Sequence, residues 1–436
     1  MSRTVAIIGR PNVGKSSLFN RIIGERLSIT DDASGVTRDR IYAKANWLGT
    51  EFSLIDTGGV VLKEQPFSKE ILAQAEFAID EADVIIMVTD VRVGLTQEDE
   101  DVAKILRKSK KPVLVAVNKV DDVSLRDAMY DFYNLGFEEL FAVSTVQGIG
   151  IGDLLDRVLE LLPKGGNKVY PTDVITFCLI GQPNVGKSTL ANTLVGKERS
   201  IVSDIAGTTR DAIDTPFAAY GKKYVVIDTA GLRKQGKIYE NAEKFSFIRS
   251  LQAIERSEIA VILLDATQPI TEQDKRIAGY ARSNNRAMIF VVNKWDLLKK
   301  DNDTMGEFVK NIRNQFEFLD YVPIIFMSAM NNKRVNTLID EINHVDECYR
   351  RRVQTSVLND LLQDAVLMTP PPMFNGNRLK LSYATQGETM PPEFVLFVND
   401  ERHMHFSYLR YLENTVREHF DFTGSPVKFT LRRKDD

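Results

Sequence analysis

One eight-residue pattern is written twice in this chain of 436 residues, as GRPNVGKS from Gly9 to Ser16 and as GQPNVGKS from Gly181 to Ser188. Both fit GxxxxGK[ST], a loop whose successive backbone N–H groups wrap a phosphate at a helix N-terminus, where the helix dipole already favours negative charge. Gly9, Arg10, Pro11, Asn12, Val13 and Gly14 form the first loop, and Gly181, Gln182, Pro183, Asn184, Val185 and Gly186 the second. Lys15 and Lys187 are placed to reach β- and γ-phosphates, and the hydroxyls of Ser16 and Ser188 to ligate magnesium. Each loop follows an apolar run, residues 5–8 or 175–180, and leads into a helical pattern starting at Leu18 or Leu190. Two sites for nucleotide phosphate are implied.

The duplication extends beyond the loops. At an offset of 172, Asn20 matches Asn192, Asp32 matches Asp204, residues 37–39 match 209–211, and Asp56-Thr57 matches Asp228-Thr229; further on, Asn118-Lys119 matches Asn293-Lys294 at an offset of 175. A period this long marks a duplicated domain, with about three residues added in a loop. The expected organisation is a first domain at 1–163, a turn-rich linker at 164–172, a second domain at 173–349 and a third region at 350–436. In the first copy, apolar runs at 52–55, 84–89, 113–117 and 140–143 alternate with helical spacing such as 98–108. The fold class is therefore α/β: two tandem P-loop domains, each a mostly parallel sheet flanked by helices, with ligands at the carboxyl ends of the strands.

The conspicuous residues fall at those ends. Asp56 and Asp228 each follow a strand, 41 residues after the P-loop lysine in both copies, where an acid can hold magnesium through water. Thr57, Gly58, Gly59 and Val60 follow in the first copy, and Thr229, Ala230, Gly231 and Leu232 in the second; their backbone can contact a γ-phosphate and move when it leaves. Thr37 and Thr209, each 22 residues after the lysine, can add a second hydroxyl to the metal. Lys15, Thr37, Lys187 and Thr209 are the candidate catalytic residues. Asn118-Lys119-Val120-Asp121 and Asn293-Lys294-Trp295-Asp296 can read the base, because a carboxylate accepts two hydrogen bonds from the N1–H and N2–H₂ of guanine, a pair of donors adenine lacks. Ser144 and Ser328 would close the base pocket. A small-molecule kinase is disfavoured by these base-reading elements.

Composition fits a globular protein, with 43% apolar and 27% charged residues and a net charge of −4. Cys178 and Cys348 are the two cysteines, so a disulfide framework is not implied; no apolar run approaches the length of a membrane span, and MSRTVAIIG reads as a first strand rather than a signal peptide. A cytoplasmic location without membrane contact is expected. Charge is −7 over 1–163, +2 over 164–349 and +1 over 350–436, so a polyanion would meet local patches rather than a basic domain.

With these elements in order twice, the chain resembles the translation-factor-like GTPases, and its tandem arrangement with a C-terminal extension resembles the bacterial EngA (Der) family across essentially its whole length. The resemblance implies a switch that binds GTP and GDP and hydrolyses GTP, a small α+β KH-like third domain, and a role in assembling the large ribosomal subunit through ribosomal RNA. A competing reading is an RNA- or ribosome-binding scaffold in which one copy holds nucleotide without turnover.

No histidine precedes His344, so neither copy has an imidazole base, and Val60 and Leu232 stand where many small GTPases place a water-orienting Gln. A group from a partner or the other domain could take that role, or a potassium ion. In related potassium-activated GTPases the P-loop Asn ligates K⁺, which makes Asn12 and Asn184 candidates; alternatively they suit the turn. The third region reads as helix 357–367, strands 379–383 and 394–398, helix 408–420 and strand 427–431, an order that fits a KH-like sandwich, although the GxxG of KH domains is absent. Basic runs at 350–352 and 432–434 and the aromatics Phe394, Phe397 and Phe406 leave RNA contact open. His403 and His405 lack partners at metal-ligand spacing. The basic stretch 233–237 follows the mobile element of the second copy and could couple nucleotide state to an RNA or domain contact.

Overall fold

The computed structural model describes residues 3–24, 42–57, 75–163, 170–196, 214–228, 242–299, 301, 303–374 and 377–433. The chain forms two compact units, Met1–Val169 and Tyr170–Asp436.

In the first unit, β1 (Thr4–Ile8), β2 (Tyr42–Trp47), β3 (Thr50–Asp56), β4 (Val84–Asp90), β5 (Val113–Asn118) and β6 (Leu140–Ala142) form one sheet in the order β2-β3-β1-β4-β5-β6. All neighbours run parallel except β2 and β3. Every residue of β1 and β4 is buried, as a strand covered on both faces requires. The chain leaves β1 toward β3 on one side and returns to β4 on the other. The loop after β1 therefore opens at the point where strand order reverses, and there a crevice forms at the carboxyl edge. Ile7, Leu54, Ile86 and Leu114 of the sheet pack with Leu18, Leu154 and Val158 of the helices Lys15–Gly24 and Ile151–Leu161. The expected start of the first helix at Leu18 moves back to Lys15, because the left-handed Gly14 turns the chain directly into it.

The second unit repeats this plan with β7 (Val174–Gly181), β8 (Thr215–Ala219), β9 (Lys222–Ile227), β10 (Ile259–Asp265), β11 (Ala287–Asn293) and β12 (Ile324–Phe326) in the order β12-β11-β10-β7-β9-β8. Tyr170 is buried, and its hydroxyl donates to Asp214 at 2.7 Å. Its last helix, Val335–Tyr349, packs Leu338, Ile342 and Val345 against the sheet.

The C-terminal part follows as helix Thr355–Met368, a short hairpin of β13 (Met373–Phe374) and β14 (Asn377–Arg378), then β15 (Leu381–Gln386), β16 (Glu393–Val398), helix Phe406–His419 and β17 (Lys428–Arg433). β15 is antiparallel and β17 parallel to β16. Leu358, Leu362, Phe394, Leu396, Leu412 and Val416 form its core. The strand expected at 379–383 joins the sheet two residues later, because Leu379 is buried in that core and the Lys380 N–H is bound by the Asn399 side chain at 2.8 Å. Among the described residues no helix is long and apolar enough to cross a membrane.

A turn near the C-terminus docks on the second P-loop sheet. The Met288 N–H donates to the Gly424 carbonyl at 2.8 Å, the Gly424 N–H donates to the Tyr321 carbonyl at 2.9 Å, and the Arg417 guanidinium lies 4.3 Å from the Tyr321 ring centre. Gly424 has φ +69°, and a Cβ there would lie 2.6 Å from a Val345 methyl and 2.9 Å from the Met288 carbonyl oxygen. Gly424→Ala is expected to cost about 2 kcal/mol from strain and overlap combined. Thermal unfolding should show the loss in the transition of the second unit alone, and an unchanged melting profile would contradict this account of the docking.

Candidate functional site

At the carboxyl end of β1 the P-loop folds over its own lysine. Lys15 is 7% exposed, and its ammonium donates to the carbonyls of Gly9 at 2.7 Å and Arg10 at 2.8 Å. Lys187 does the same toward Gly181 at 2.7 Å and Gln182 at 2.6 Å. A buried cation that donates to loop carbonyls is poised for an anion. Burial pushes the Lys187 ammonium down to about 8, against the opposing attraction of Asp274. Asn12 and Asn184 sit exposed at the loop tips with φ of 64° and 62°, a left-handed conformation that Asn tolerates better than most residues.

The base-reading element is tied to the phosphate loop by one amide in each copy. Asn118 donates from Nδ2 to the Val13 carbonyl at 2.8 Å while its Oδ1 accepts from the Thr145 N–H at 3.1 Å. Asn293 donates to the Val185 carbonyl at 2.8 Å and accepts from the Ala329 N–H at 2.9 Å. This approach requires glycine at the loop's end: a Cβ on Gly14 would lie 2.2 Å from Asn118 Nδ2, and one on Gly186 2.3 Å from Asn293 Nδ2. Lys119 and Lys294 then hold the strand ends together, pairing with Asp90 at 2.5 Å and Asp265 at 2.6 Å. Lys119 also donates to the Asn12 carbonyl at 3.0 Å.

The two carboxylates expected to read the base differ in their partners. Asp121 accepts from the Ser144 hydroxyl at 2.5 Å and pairs with the exposed Arg92 at 2.6 Å. Asp296 accepts instead from the Asn331 side chain at 2.9 Å, and Ser328 Oγ accepts from the Asn331 N–H at 3.3 Å. Val120 and Trp295, between lysine and aspartate, turn inward; Trp295 packs 4.5 Å from Phe326 and 5.1 Å from Phe308, ring centre to ring centre.

The candidate metal ligands of the first copy meet. The Ser16 hydroxyl donates to Asp56 Oδ2 at 2.7 Å, with Asp56 fully buried at the end of β3. A hydroxyl and a carboxylate side by side beneath a phosphate loop form a hard oxygen donor set that fits magnesium. Asp228 is half-buried, lies just beyond β9 with φ +59°, and donates its N–H to Asp214 at 3.1 Å. The Thr57 hydroxyl is turned away from the crevice and donates to the Ile7 carbonyl at 2.7 Å. Thr37, Gly58, Gly59, Val60, Thr209, Thr229, Ala230, Gly231 and Leu232, and the basic stretch 233–237, lie outside the described residues.

Several supporting residues escape a reading of the motifs alone. Asp90 and Asp265 anchor the base-element lysines. Thr96 with Asp99, and Thr271 with Asp274, form reciprocal N-caps on the helices Gln97–Lys108 and Glu272–Ser283. The variable P-loop residues grip these caps, Arg10 at 3.4 Å from Asp99 and Gln182 at 2.6 Å from Asp274. All three pairs of equivalents stand 175 residues apart, the offset already set by Asn118 and Asn293. In the C-terminal part, Arg350 is committed to Asp346 and Glu258, both at 2.7 Å, and Phe394 is core, whereas Phe406 is exposed. His405 caps the helix Phe406–His419 through Ser407.

Comparison with known proteins agrees with this geometry. A family described as "50S ribosome-binding GTPase" matches residues 4–119 and 176–294, and one described as "KH-domain-like of EngA bacterial GTPase enzymes, C-terminal" matches 352–432. The chain is 57% identical over 431 residues to the GTPase Der of Bacillus cytotoxicus, covering 99% of each chain. It is 56% identical over 428 residues to the GTPase Der of Geobacillus kaustophilus, covering 98% of each.

A triphosphate beside Lys187 restores the proton that burial disfavours. Its pKa of about 8 without nucleotide lies below the ordinary 10.5, so binding at the second site should take up about half a proton at pH 8, and affinity should fall as pH rises from about 8 toward 10.5. Calorimetry of the Lys15→Ala protein in two buffers of different ionisation enthalpy measures this; identical heats in both would contradict it.

Proposed function

We propose, from the premise that the chain belongs to the EngA (Der) family of GTPases and hydrolyses GTP, that both of its P-loop sites turn over and that potassium assists each of them. The observation that carries two working sites is the repeated amide clamp, Asn118 to Val13 and Asn293 to Val185, which joins base reader to phosphate loop at 2.8 Å in both copies. The functional units are 1–163, 173–349 and 350–436, joined by 164–172.

At each site the chain's own groups divide the work. Gly9 to Gly14, and Gly181 to Gly186, direct backbone N–H groups at the β- and γ-phosphates, while Lys15 and Lys187 leave their carbonyl partners for phosphate oxygens and neutralise charge that grows in the transition state. Magnesium, which GTPases of this kind use, would be held by Ser16, Thr37 and Asp56 and by Ser188, Thr209 and Asp228, and would supply positive charge to the phosphates. Asp121 and Asp296 accept the N1–H and N2–H₂ of guanine in place of their present partners, and Ser144 and Ser328 close the pocket behind the base. Gly58 to Val60 and Ala230 to Leu232, with Thr57 and Thr229 before them, report the γ-phosphate.

Without a Gln at Val60 or Leu232, a potassium ion at Asn12 and Asn184 is the proposed source of additional charge. The exposed position of both side chains at the loop tips leaves them free to turn toward the phosphates. The proposed setting is the cytoplasm, on the large ribosomal subunit, a reading supported by the ribosome-binding description of the matching family. The exposed Phe406 and the exposed Arg432 of the C-terminal part are the groups proposed to meet ribosomal RNA.

Hydrolysis should run about tenfold faster in KCl than in NaCl at equal ionic strength. Asn12→Ala and Asn184→Ala, each placed in a chain whose other site carries the P-loop lysine-to-alanine change, should lose that difference. Equal rates in the two salts exclude the potassium role. Sedimentation with purified subunits should show the protein on the large one, more with a non-hydrolysable GTP analogue than with GDP; sedimentation with the small subunit alone would contradict the assignment.

A further inference from the structure

His344 and Cys348 lie one turn apart on the helix Val335–Tyr349, and Asp421 reaches them from the turn that docks the C-terminal part onto that helix. His344 Nε2 is 3.0 Å from Asp421 Oδ2 and 3.9 Å from Cys348 Sγ, and the three ligand atoms all lie within 4.8 Å of one another. In a tetrahedral zinc site, Zn–N of about 2.0–2.1 Å, Zn–O of about 2.0–2.2 Å and Zn–S of about 2.3 Å separate neighbouring ligand atoms by roughly 3.3–3.6 Å. The three side chains need only small rotations to reach those separations.

The geometry points to a binding site for a divalent cation of the zinc class, held by His344, Cys348 and Asp421 and linking the last helix of the second P-loop domain to the C-terminal part. Nitrogen, sulfur and oxygen donors together suit zinc rather than magnesium, so the site is chemically distinct from those beneath the phosphates. The fourth position of the tetrahedron would fall to a solvent water.

The charges around the three residues agree. Partial burial raises the Glu341 carboxyl, an effect that Asp421 reinforces and His344 opposes. Burial and Asp421 push the Cys348 thiol up to about 11, against the opposing charge and hydrogen bond of Arg351. Against the cost of its own burial, hydrogen bonds from Thr423 and the nearby His344 hold the Asp421 carboxyl below the usual range. A bound dication would face these carboxylates alongside the Arg351 guanidinium, which already lies beside the thiol, and as the Cys348 thiolate binds, its proton passes to solvent.

Cobalt(II) is the probe, because a thiolate ligand gives it a charge-transfer band in the near ultraviolet. The full chain is first saturated with GDP and excess magnesium, so that the phosphate sites do not compete. One equivalent of Co²⁺ should then produce the band, and Zn²⁺ should abolish it. The chain has two cysteines, and Cys178 is wholly buried in β7, so Cys178→Ala should keep the band and Cys348→Ser should lose it. Asp421→Asn, at an exposed position, should weaken Co²⁺ binding at least tenfold and serves equally if Cys348→Ser does not fold. Zn²⁺ should raise the melting temperature of the wild-type protein and not of Asp421→Asn. Absence of the band at one equivalent, or Asp421→Asn binding Co²⁺ as tightly as wild type, overturns the site.

Discussion

A single side-chain amide, used twice, organises each nucleotide crevice. Asn118 and Asn293 stand at the carboxyl ends of β5 and β11, and each spans the gap between the strand that bears the base reader and the loop that bears the phosphate cradle. A buried amide of this kind must find partners for both ends or cost roughly 1–3 kcal/mol. Here both ends are satisfied, by a loop carbonyl on one side and the N–H of the base-closing segment on the other. The glycines that end the P-loops follow from this constraint, since a single added carbon would occupy the place of the amide nitrogen. So do the lysines beside each Asn, whose pairing with Asp90 or Asp265 fixes the same strand ends from the other side.

The two copies share this frame and diverge at its edges. The first closes Asp121 with the hydroxyl of Ser144 and an exposed arginine, whereas the second closes Asp296 with the amide of Asn331. The first carries its metal-side aspartate inside β3, in contact with Ser16; Asp228 lies just beyond β9 and donates its N–H to Asp214.

Most of the nucleotide crevice was legible in the sequence, because each motif has to satisfy backbone geometry and phosphate charge at fixed spacing and the duplication repeats the test. Lys15, Asn118, Asp121 and their equivalents were proposed in this way, and the mostly parallel sheets were expected, as was the α, β, β, α, β succession of the C-terminal part, to which the structure adds the hairpin of β13 and β14. Asp90, Asp99, Asp265 and Asp274 were not, because an acid at a strand end or helix start is ordinary punctuation until its partner is known; the offset of 175 residues was the signal available for them. Gly424, and the meeting of His344 with Asp421, depend on how two parts of the chain dock, and no local pattern encodes that. Thr57 illustrates the opposite case, a residue inside a motif whose hydroxyl serves the sheet instead.

By the proposal made above, each amide clamp maintains one complete and separate guanine-nucleotide site. Equilibrium titration with a fluorescent GDP measures it most directly, applied to the wild-type chain, Asn118→Ala and Asn293→Ala. The account predicts two nucleotides bound per wild-type chain and one per variant, the remaining site keeping its affinity. A wild-type stoichiometry of one, or a variant that still binds two with unchanged affinities, would contradict it.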